Sequence, residues 1–588
     1  MLANLFSFVY HYEIMLYLFC LSTPINYKCD MNLSNLFRKK SAKVIVQEGG
    51  DIEGEFLGLH KVLTVRDLTF FGIAAIIGGG TFSAIGNACF SGGPAVVLLY
   101  VMCAVACGFT AMCYAEFASR VPVSGSAYTY AYVSFGELFA WIIGWALIME
   151  YSIGNIYIAF SWSGYFTNLL ETFHIHLPEW LTINYKSAQD AFVAQKGIEG
   201  LNAWNNAPVI GGLKIIFDLP AVVINLLITY LVYSGTKESK NFSNAMVYIK
   251  LAIIALVIIV GAFYVDIDNW TPFMPNGFGG VMAGVSAVFF AYIGFDAVST
   301  LAEESKNPQR DLPKGMIYSL VICTLVFIVL ALVITGMVSY ELLGVSDPLA
   351  EIFALKGVKW MLFIVSIAAV VAMTSVLLVF QMGQPRIWMT MSRDGLMPNK
   401  FSEIHPKYKT PSFATIVTGL VVGIPIFFTD ENFVLDFTSI GTLFAFVLVC
   451  GGVLMLSPQS EEEMAERATK GKFRIPYVNS KFIFPILVLT GTVLLFNFRP
   501  DFFSSLFDFS EGKMATNIPM LVFVLVCIVM TVMSFLKNLS LIPLLGLISC
   551  CYLLTGMAVS NWMWFGTWLV LGLIFYFLYG YKNSKLNK

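Results

Sequence analysis

The sequence predicts an all-α protein that is integral to a membrane and crosses it many times. Of the 588 residues, 58% are hydrophobic and 12% are charged, whereas a soluble globular protein carries about 25% charged residues. Apolar runs recur along nearly the whole chain, and several exceed the roughly 20 residues that a helix needs to cross a bilayer. A soluble fold is excluded because such a chain has too little polar surface. The net charge of −2 gives no indication of a nucleic-acid partner.

Fourteen membrane-spanning helices are predicted from these apolar runs, and we number them as spans 1 to 14 in chain order. They lie near residues 68–90, 95–119, 138–168, 219–234, 243–265, 280–301, 315–338, 358–384, 411–429, 434–457, 482–498, 516–536, 540–558 and 563–581.

Basic residues in the loops predict the orientation of these spans. If span 1 begins in the cytoplasm, the loops on that side hold 26 of the 35 Lys and Arg residues, and the opposite loops hold 7. Because cytoplasmic loops are enriched in Lys and Arg, the asymmetry predicts a multi-pass protein of the cell membrane whose two termini are cytoplasmic.

Residues 1–67 are predicted to form a cytoplasmic N-terminal segment. Residues 1–30 contain an apolar run, but they lack the basic stretch and the small-residue cleavage site of a signal peptide. The sequence becomes polar and basic at Met31. We therefore expect translation to begin at Met31, with an additional membrane anchor as the alternative.

The cysteines and histidines do not indicate a catalytic or metal site. None of the 11 cysteines forms a CxxC pair, and the 5 histidines lie in loops or in the N-terminal segment. No HExxH motif occurs. We expect neither a disulfide framework nor a bound metal or cofactor. A membrane-embedded enzyme would need catalytic groups converging at one depth, so we predict that the protein is not an enzyme.

Span 1 contains an unusual group of glycines in the stretch GIAAIIGGGTF, residues 72–82. Each glycine costs a helix interior about 1 kcal/mol relative to alanine, and unwound backbone in a membrane is tolerated only where protein or water surrounds it. A break here would leave free N–H groups, which bind a carboxylate, and free carbonyls, which bind an ammonium group. Such a pair suits a zwitterion. The alternative is a small-residue face that packs against another helix.

A second break is predicted in span 6, in the stretch FFAYIGFDAVSTLAEESKNPQRDLP. Gly294 lies in the middle of this span beside Asp296, and an acid at that depth is costly unless it has a local role. We expect Asp296 to cap the N-terminus of the second half of the span, with direct ligand contact as the alternative. Breaks in spans 1 and 6 are the signature of a transporter built from two inverted repeats of five helices.

Several stretches resemble the amino acid permeases of the APC superfamily, above all the cationic amino acid transporter branch and its bacterial relatives. They are IIGGGTF, CYAEFASRVPVSGSAYTYAYVSFGELFAWIIGW, MVYIKLAIIALVIIVGAF, WTPFMPNGFGGV, FFAYIGFDAVSTLAEESKNPQRDLPKG and GQPRIWMTMSRDGLMP. The resemblance covers roughly residues 50–457 and 540–581.

This resemblance implies the leucine-transporter-type fold. Residues 68–457 would form a core of ten helices in a 5+5 inverted repeat, and residues 458–588 would add accessory membrane helices. Bacterial members usually have twelve spans, so the region 458–539 departs from them by adding two. A layout of about fourteen helices resembles the animal members of the branch.

The resemblance also assigns a substrate site to the two breaks. Backbone N–H groups around Gly78, Gly79, Gly80 and Thr81 would hold the substrate carboxylate, and carbonyls near Gly72, Ile73, Phe290 and Ala291 would hold its amino group. Phe290 would also gate the pocket from outside, with ordinary helix packing as the alternative.

Three further residues are candidates by depth and resemblance. Glu150 lies near the bilayer centre in span 3, where the family places the substrate side chain; pairing with a polar group of another helix is the alternative. Phe380 in span 8 resembles a pocket-floor position, where its bulk disfavours long cationic side chains. Glu116 resembles a functionally sensitive residue, but an i,i+4 pair with Arg120 is its simplest explanation.

Lys250 is the most informative charge, because it lies inside span 5. It is about seven residues from the predicted start of that span, which places it roughly 10 Å from the inner end. Burial favours the neutral amine, so a lysine at this depth can load and release a proton. In the resemblance, Lys250 takes the place of the cation of sodium-coupled relatives, which implies proton coupling. The alternative is a lysine that extends to the cytoplasmic interface.

The sequence therefore predicts a secondary active transporter that imports amino acids by proton symport and alternating access. Neutral substrates are expected because no excess of pocket acids is visible, and the alternatives are an amino acid exchanger or a cationic amino acid transporter. The partners would be the amino acid, protons and membrane lipids. The sequence does not indicate an oligomeric state.

Overall fold

A computed structural model describes most of the chain. The described residues are 36–40, 59, 61–195, 197–345, 347–429, 431–456, 473–498, 502, 506–507, 514–557 and 559–587. The predicted translation start at Met31 lies outside them.

The described fold is almost entirely helical, and helices lie in each of the fourteen predicted spans. The unbroken helices of spans 2 to 5, 7, 8 and 10 are Val96–Arg120, Glu137–Thr172, Leu219–Ser234, Thr236–Ala262, Pro308–Met337, Lys359–Arg393 and Glu431–Met455. Span 9 is Ser412–Gly423 with the turn Pro425–Phe427, and spans 11 to 14 are Ser480–Phe498, Met514–Lys537, Leu541–Leu554 and Val559–Phe575.

Smaller elements connect the spans. The helix Ser126–Ser134 follows span 2, and the helices Tyr185–Ala194, Ile198–Asn206 and Pro348–Leu355 lie in the longer loops. The strands β1 (Val209–Ile210) and β2 (Leu213–Lys214) form a short antiparallel hairpin.

The helices identify a multi-pass membrane protein. Within the described residues, eight helices are long and apolar enough to cross a membrane, and a bent pair in span 6 would make nine. Spans 4, 9, 10 and 13 contain shorter apolar helices. The count of fourteen crossings and the 5+5 repeat stay predictions.

Span 1 is broken where its glycines lie. Its first half, Val65–Ile76, begins at Thr64, whose N–H and hydroxyl both donate to the carboxylate of Asp67 at 2.9 and 2.7 Å. The helix ends at Ile77, which has extended dihedrals. The second half starts with a π-helical turn, Gly80–Ala84, and continues as Ile85–Gly92. The predicted break in span 1 is therefore confirmed.

Span 6 is broken just before Asp296, as predicted. Its outer half consists of Gly277–Ala283 and Val285–Tyr292, and Ile293 is extended. Gly294 follows with φ of 118°, a left-handed conformation that favours glycine. The inner half, Phe295–Glu304, is a tight 3₁₀ helix.

The two breaks lie against each other. A Cβ atom added at Gly80 would be 2.4 Å from the Cα of Ala291, and one added at Gly294 would be 2.6 Å from the Cβ of Ala75. The inner ends of the two spans are also joined, because the N–H groups of Val62 and Leu63 donate to the carbonyl of Glu304 at 2.9 Å. Spans 1 and 6 thus form one unit of four half-helices.

Spans 3 and 8 are the two long helices that pack beside this unit. The Trp162 indole donates to the hydroxyl of Thr374 at 2.8 Å, and the Gln384 amide donates to the hydroxyl of Ser152 at 2.7 Å. Increasing residue numbers in span 3 therefore match decreasing numbers in span 8, so the two helices are antiparallel.

Ion pairs gather at the predicted cytoplasmic side. Arg386 of span 8 contacts Glu304 at 2.7 Å, and both side chains are almost completely buried. Arg393, at the end of the same helix, contacts Glu303 at 2.8 Å. These pairs join the inner end of span 6 to span 8.

The described parts of the two termini meet on the same side. Lys40 pairs with Asp394 at 2.6 Å, and Arg38 donates to the carbonyl of Leu586 at 2.6 Å. The hydroxyl of Ser584 donates to buried Glu137 at 2.6 Å. The C-terminal segment is thereby held against the start of span 3 and the end of span 8.

The accessory spans differ in how they contact the core. Span 13 packs against spans 2 and 10, whereas spans 11 and 12 pack on each other and on span 13 and leave most of their apolar surface exposed. Residues before span 11 reach the core at Glu116, whose carboxylate accepts the N–H of Ile475 at 2.9 Å. Spans 11 and 12 thus form an outer layer, which matches the segment that departs from the bacterial pattern.

We predict that Gly80→Ala lowers the thermal unfolding midpoint of the purified protein. The new methyl group would collide with backbone atoms of Ala291, and overpacking of this kind costs about 1–3 kcal/mol. Gly164→Ala in span 3 is the matched control, because its Cβ meets nothing within 4 Å. The control should unfold at the same or a higher temperature, since alanine favours a helix by about 1 kcal/mol. Equal midpoints for the two variants would contradict the close contact.

We also predict that Arg386→Met destabilises the protein strongly. It leaves buried Glu304 without its cation, and breaking a buried pair costs about 3–5 kcal/mol. The double variant Arg386→Met/Glu304→Gln should recover part of the loss. Arg310→Met, which removes a pair whose arginine is 60% exposed, should change the free energy of unfolding by less than about 1 kcal/mol. Similar losses of unfolding free energy in the Arg386 and Arg310 single variants would show that the contribution of these ion pairs does not depend on burial.

Candidate substrate site at the two helix breaks

Lys250 is bound at the end of the first half of span 1. Its ammonium group donates to the carbonyl oxygens of Ile73, Ala74 and Ile77 at 3.1, 3.1 and 2.9 Å. The hydroxyl of Ser375 in span 8 lies 2.9 Å from the same nitrogen. The last carbonyls of a helix have no partner within it, and its C-terminal end favours a positive charge. Lys250 therefore occupies the position of a cation at a helix end.

The structure speaks against the alternative interpretation of Lys250. The side chain is 0% exposed and bonded on all sides, so it does not extend to the cytoplasmic interface. The helix of span 5 begins at Thr236 rather than near residue 243, which places Lys250 deeper along that helix than the sequence predicted. Only Gly235 separates spans 4 and 5 in the structure, and the sequence pattern gave no sign of so short a turn.

The carbonyl of Ile73 is already in use. It accepts both the Lys250 ammonium at 3.1 Å and the N–H of Ile77 at 3.0 Å. A substrate amino group would have to share or displace one of these donors. Gly72 lies about one helical turn before the break, and its Cβ would be 2.3 Å from the hydroxyl of Ser319. Close packing against span 7 thus explains the glycine at position 72 better than a contact with the substrate amino group does.

The second half of span 1 offers donors at its start. The N–H groups of Gly79 and Gly80 belong to the first turn, where no preceding helical carbonyl is available. The N–H of Thr81 is used, since it donates to the carbonyl of Gly78 at 2.9 Å. The hydroxyl of Thr81 is buried, and it has no hydrogen-bond partner among the described residues. Gly78 packs against Val376 of span 8, whose methyl group lies 2.3 Å from a Cβ placed there.

The break in span 6 supplies the facing groups. The carbonyl of Phe290 accepts the N–H of Ile293 at 3.2 Å, so it is engaged within the last turn of the outer half. Ala291 lies directly against Gly80. The ring of Phe290 packs edge to face against Tyr157 at 5.1 Å. Both rings approach Gly79, so Phe290 packs beside the break, and its gating role stays a prediction.

Asp296 does not cap the inner half of span 6 as predicted. Gly294 occupies the N-cap position, and no side-chain capping bond is formed there. Asp296 lies in the first turn, where a negative charge is favoured. One carboxylate oxygen accepts the Tyr151 hydroxyl at 3.4 Å, while the other, buried, has no hydrogen-bond partner in the described structure. The left-handed glycine takes the N-cap position predicted for Asp296, while the carboxylate still lies beside the first N–H groups of the inner half.

Span 3 contributes a carboxylate beside the break in span 6. Glu150 is 1% exposed, and neither of its oxygens makes a hydrogen bond within the described part of the chain. Its neighbours are the Thr442 hydroxyl of span 10, which can donate a hydrogen bond, and the Asp296 carboxylate, which acts electrostatically. Helix-to-helix pairing therefore gives an incomplete account of Glu150. Phe380 packs on the next residue, with its ring 5.4 Å from that of Tyr151.

Glu116 lies away from both breaks, at the end of span 2. Its carboxylate contacts Arg120 at 2.6 Å, which confirms the predicted i,i+4 pair. The second oxygen accepts the N–H of Ile475. Glu116 thus joins the core to the segment that precedes span 11, a contact that the sequence did not predict.

Sequence reasoning missed three polar or aromatic residues at the site. Ser375 contacts Lys250, Tyr157 packs on Phe290, and Asn155 is a completely buried amide of span 3. Asn155 carried a usable signal, because it is a polar residue in an apolar span. Ser375 and Tyr157 resemble many other residues of membrane helices, so nothing in the sequence marks them.

The site contains no obvious metal position. Among the residues that the structure describes, no group of three or more His, Cys, Asp or Glu side chains could hold a metal ion.

Comparison with known proteins gives consistent relatives over nearly the whole chain. The branched-chain amino acid permease BcaP of Bacillus subtilis (strain 168) is 37% identical over 555 residues, covering 94% of this chain and 99% of that protein. The methylthioribose transporter of the same organism is 35% identical over 559 residues, covering 95% and 100%. The vacuolar cationic amino acid transporter 2 of Arabidopsis thaliana is 30% identical over 619 residues, covering 90% of each protein.

The family assignment rests on both the relatives and the family pattern. Residues 63–505 match the family described as amino acid permease. These relatives are named as transporters and not as enzymes. The chain therefore belongs to the amino acid permeases of the APC superfamily.

Proposed function

We propose that this permease imports amino acids across the cell membrane by proton symport, with both termini in the cytoplasm and neutral substrates preferred. The observation that carries the proposal is the position of Lys250. A single titratable cation, completely buried, is bonded to three carbonyls at the break of span 1. A protonation change at this nitrogen acts directly on the helix that forms half of the site.

The two breaks suit the charged groups shared by all amino acids. N–H groups at Gly79 and Gly80 would bind the carboxylate, and the carbonyl end of the outer half of span 6, near Ala291, would bind the amino group. Gly80 and Ala291 are in contact, so one small zwitterion can reach both ends. The relatives named for branched-chain and cationic amino acids support amino acids as the substrate class.

Proton release from Lys250 would loosen the inner half of span 1. The ammonium group satisfies three carbonyls and draws them to span 8 through Ser375. The neutral amine retains only two N–H donors and no charge, and hydrogen bonds from charged donors are roughly twice as strong as neutral ones. The half-helix Val65–Ile76 would then lose its hold on spans 5 and 8 and move.

Opening toward the cytoplasm would also require the pair of Glu303 and Arg393 to part. Glu303 accepts bonds from Arg393 and exchanges hydrogen bonds with Ser124 at 3.0 and 3.4 Å. These contacts join the inner end of span 6 to span 8 and to the segment after span 2. Arg393 is partly exposed, so water can replace this pair at modest cost, whereas the buried pair of Glu304 and Arg386 would move as a unit.

A cationic amino acid is the second candidate substrate. Glu150 carries two buried carboxylate oxygens that have no hydrogen-bond partner among the described residues, and a substrate ammonium or guanidinium group would satisfy them. Phe380 opposes this choice, because its ring fills the space beside Tyr151. We favour neutral substrates on that ground.

We predict that Lys250→Met abolishes uphill uptake in liposomes with an inward proton gradient, while zwitterion binding persists. Methionine has similar bulk but cannot carry the proton. Lys314→Met, which changes an exposed lysine of span 7, is the control and should accumulate substrate like the unmodified protein. The measurement is uptake of a panel of labelled amino acids with and without the gradient, with binding followed by thermal stabilisation.

Proton-driven accumulation by Lys250→Met at the normal rate would refute proton coupling at this residue. Counterflow by the unmodified protein that does not depend on the pH gradient would favour an exchanger instead. The panel should include valine, arginine and methylthioribose, so that neutral, cationic and sugar-like substrates are compared directly.

A further inference from the structure

Asn155 of span 3 is a buried amide without partners. It is 0% exposed, and neither its oxygen nor its nitrogen makes a hydrogen bond within the described part of the chain. A buried polar group left unpaired costs about 1–3 kcal/mol. More than 90% of buried polar groups have a partner, so an exception requires an explanation.

The packing of span 3 places Asn155 at the level of the breaks. Tyr151 lies four residues before it and Ile158 three residues after it, so all three lie on one face of the helix. Tyr151 contacts Asp296 of span 6 and Phe380 of span 8, and the methyl end of Ile158 lies 3.0 Å from a Cβ placed at Gly79. Asn155 is therefore about one turn from each residue that contacts the proposed substrate site.

Another asparagine in the same bundle shows what a structural role looks like. Asn225 of span 4 is 1% exposed, and its amide donates to the carbonyl of Gly419 at 3.0 Å. Its oxygen accepts the amide of Gln381 at 2.7 Å. Asn225 thus joins spans 4, 8 and 9 with both polar atoms satisfied. Asn155 has the same chemistry and the same burial but joins no helices.

We propose that Asn155 binds an uncharged polar group of the substrate, such as a hydroxyl or a carboxamide beyond the α-carbon. The inference rests on the proposed function of this site. An amide offers one acceptor and one donor side at neutral charge, so it matches such a group and does not select for a cation. The amide oxygen of Gln384, one turn along span 8 from Phe380, is a second buried acceptor without a partner in the described structure.

This arrangement distinguishes substrates of equal shape. A site built to hydrogen-bond a substrate hydroxyl rejects an analogue that lacks it far more strongly than an apolar pocket rejects an added hydroxyl. Threonine and valine have nearly the same shape and differ by one hydroxyl. The ratio of their kcat/KM values in uptake therefore measures how much a contact between the substrate hydroxyl and Asn155 contributes.

The test compares Asn155→Leu with Asn225→Leu in liposomes. In Asn155→Leu the threonine-to-valine ratio of kcat/KM should fall at least tenfold, and the thermal midpoint should stay equal or rise because an unpaired polar group is removed. In Asn225→Leu the ratio should stay unchanged, and the midpoint should fall because two satisfied hydrogen bonds are lost. If Asn155→Leu does not fold, the threonine-to-valine ratio of kcat/KM is measured in Asn155→Asp and Asn155→Ala instead.

An unchanged ratio in the Asn155 variants, with uptake retained, would overturn the proposal and would leave amino acid transport intact. Absence of amino acid uptake by the unmodified protein would instead remove the proposed function. In that case methylthioribose, whose hydroxyls are also uncharged, serves as the probe. Its stabilisation of the unmodified protein should be lost in Asn155→Leu and kept in Asn225→Leu, and equal stabilisation of both variants would again overturn the proposal.

Discussion

The bond between the Lys250 ammonium and the carbonyl end of a half-helix is the interaction on which the site depends. A helix that stops inside a membrane leaves carbonyls without partners, and no water is available to satisfy them. Lys250 supplies three hydrogen bonds and a positive charge at that end. The same bonds tie span 1 to spans 5 and 8. The ammonium group thus satisfies carbonyls that the break would otherwise leave without partners.

The second constraint is the close approach of the two breaks. Gly80 meets Ala291, and Gly294 meets Ala75, at distances that leave no room for a larger residue. The irregular backbone of span 1 therefore lies beside the irregular backbone of span 6. Four helix ends converge in a small volume, and their dipoles give it groups for both charges of a zwitterion. The small residues allow this close packing, and packing does not exclude the proposed role of the glycines in substrate binding.

Polar groups are distributed unevenly between the centre and the predicted cytoplasmic side. At that side, Glu303, Glu304 and Glu116 have cationic or backbone partners. Around the breaks, Glu150 and Asn155 are buried without hydrogen bonds among the described residues. Satisfied pairs stabilise one arrangement of the helices, whereas unsatisfied groups favour whatever ligand completes them. The described polar groups at the predicted cytoplasmic side are thus mostly paired, whereas those at the breaks include unpaired ones.

The sequence by itself determined the membrane class, the approximate spans, both breaks and the location of Lys250 inside a span, because hydropathy, glycine and buried charge act locally along the chain. Only the tertiary structure decided which groups meet. It showed that Lys250 is bonded to span 1, that Gly294 rather than Asp296 begins the inner half of span 6, and that Asn155 has no hydrogen-bond partner among the described residues. Partners in a helical bundle come from residues far apart in sequence, and a single sequence carries no record of those distances.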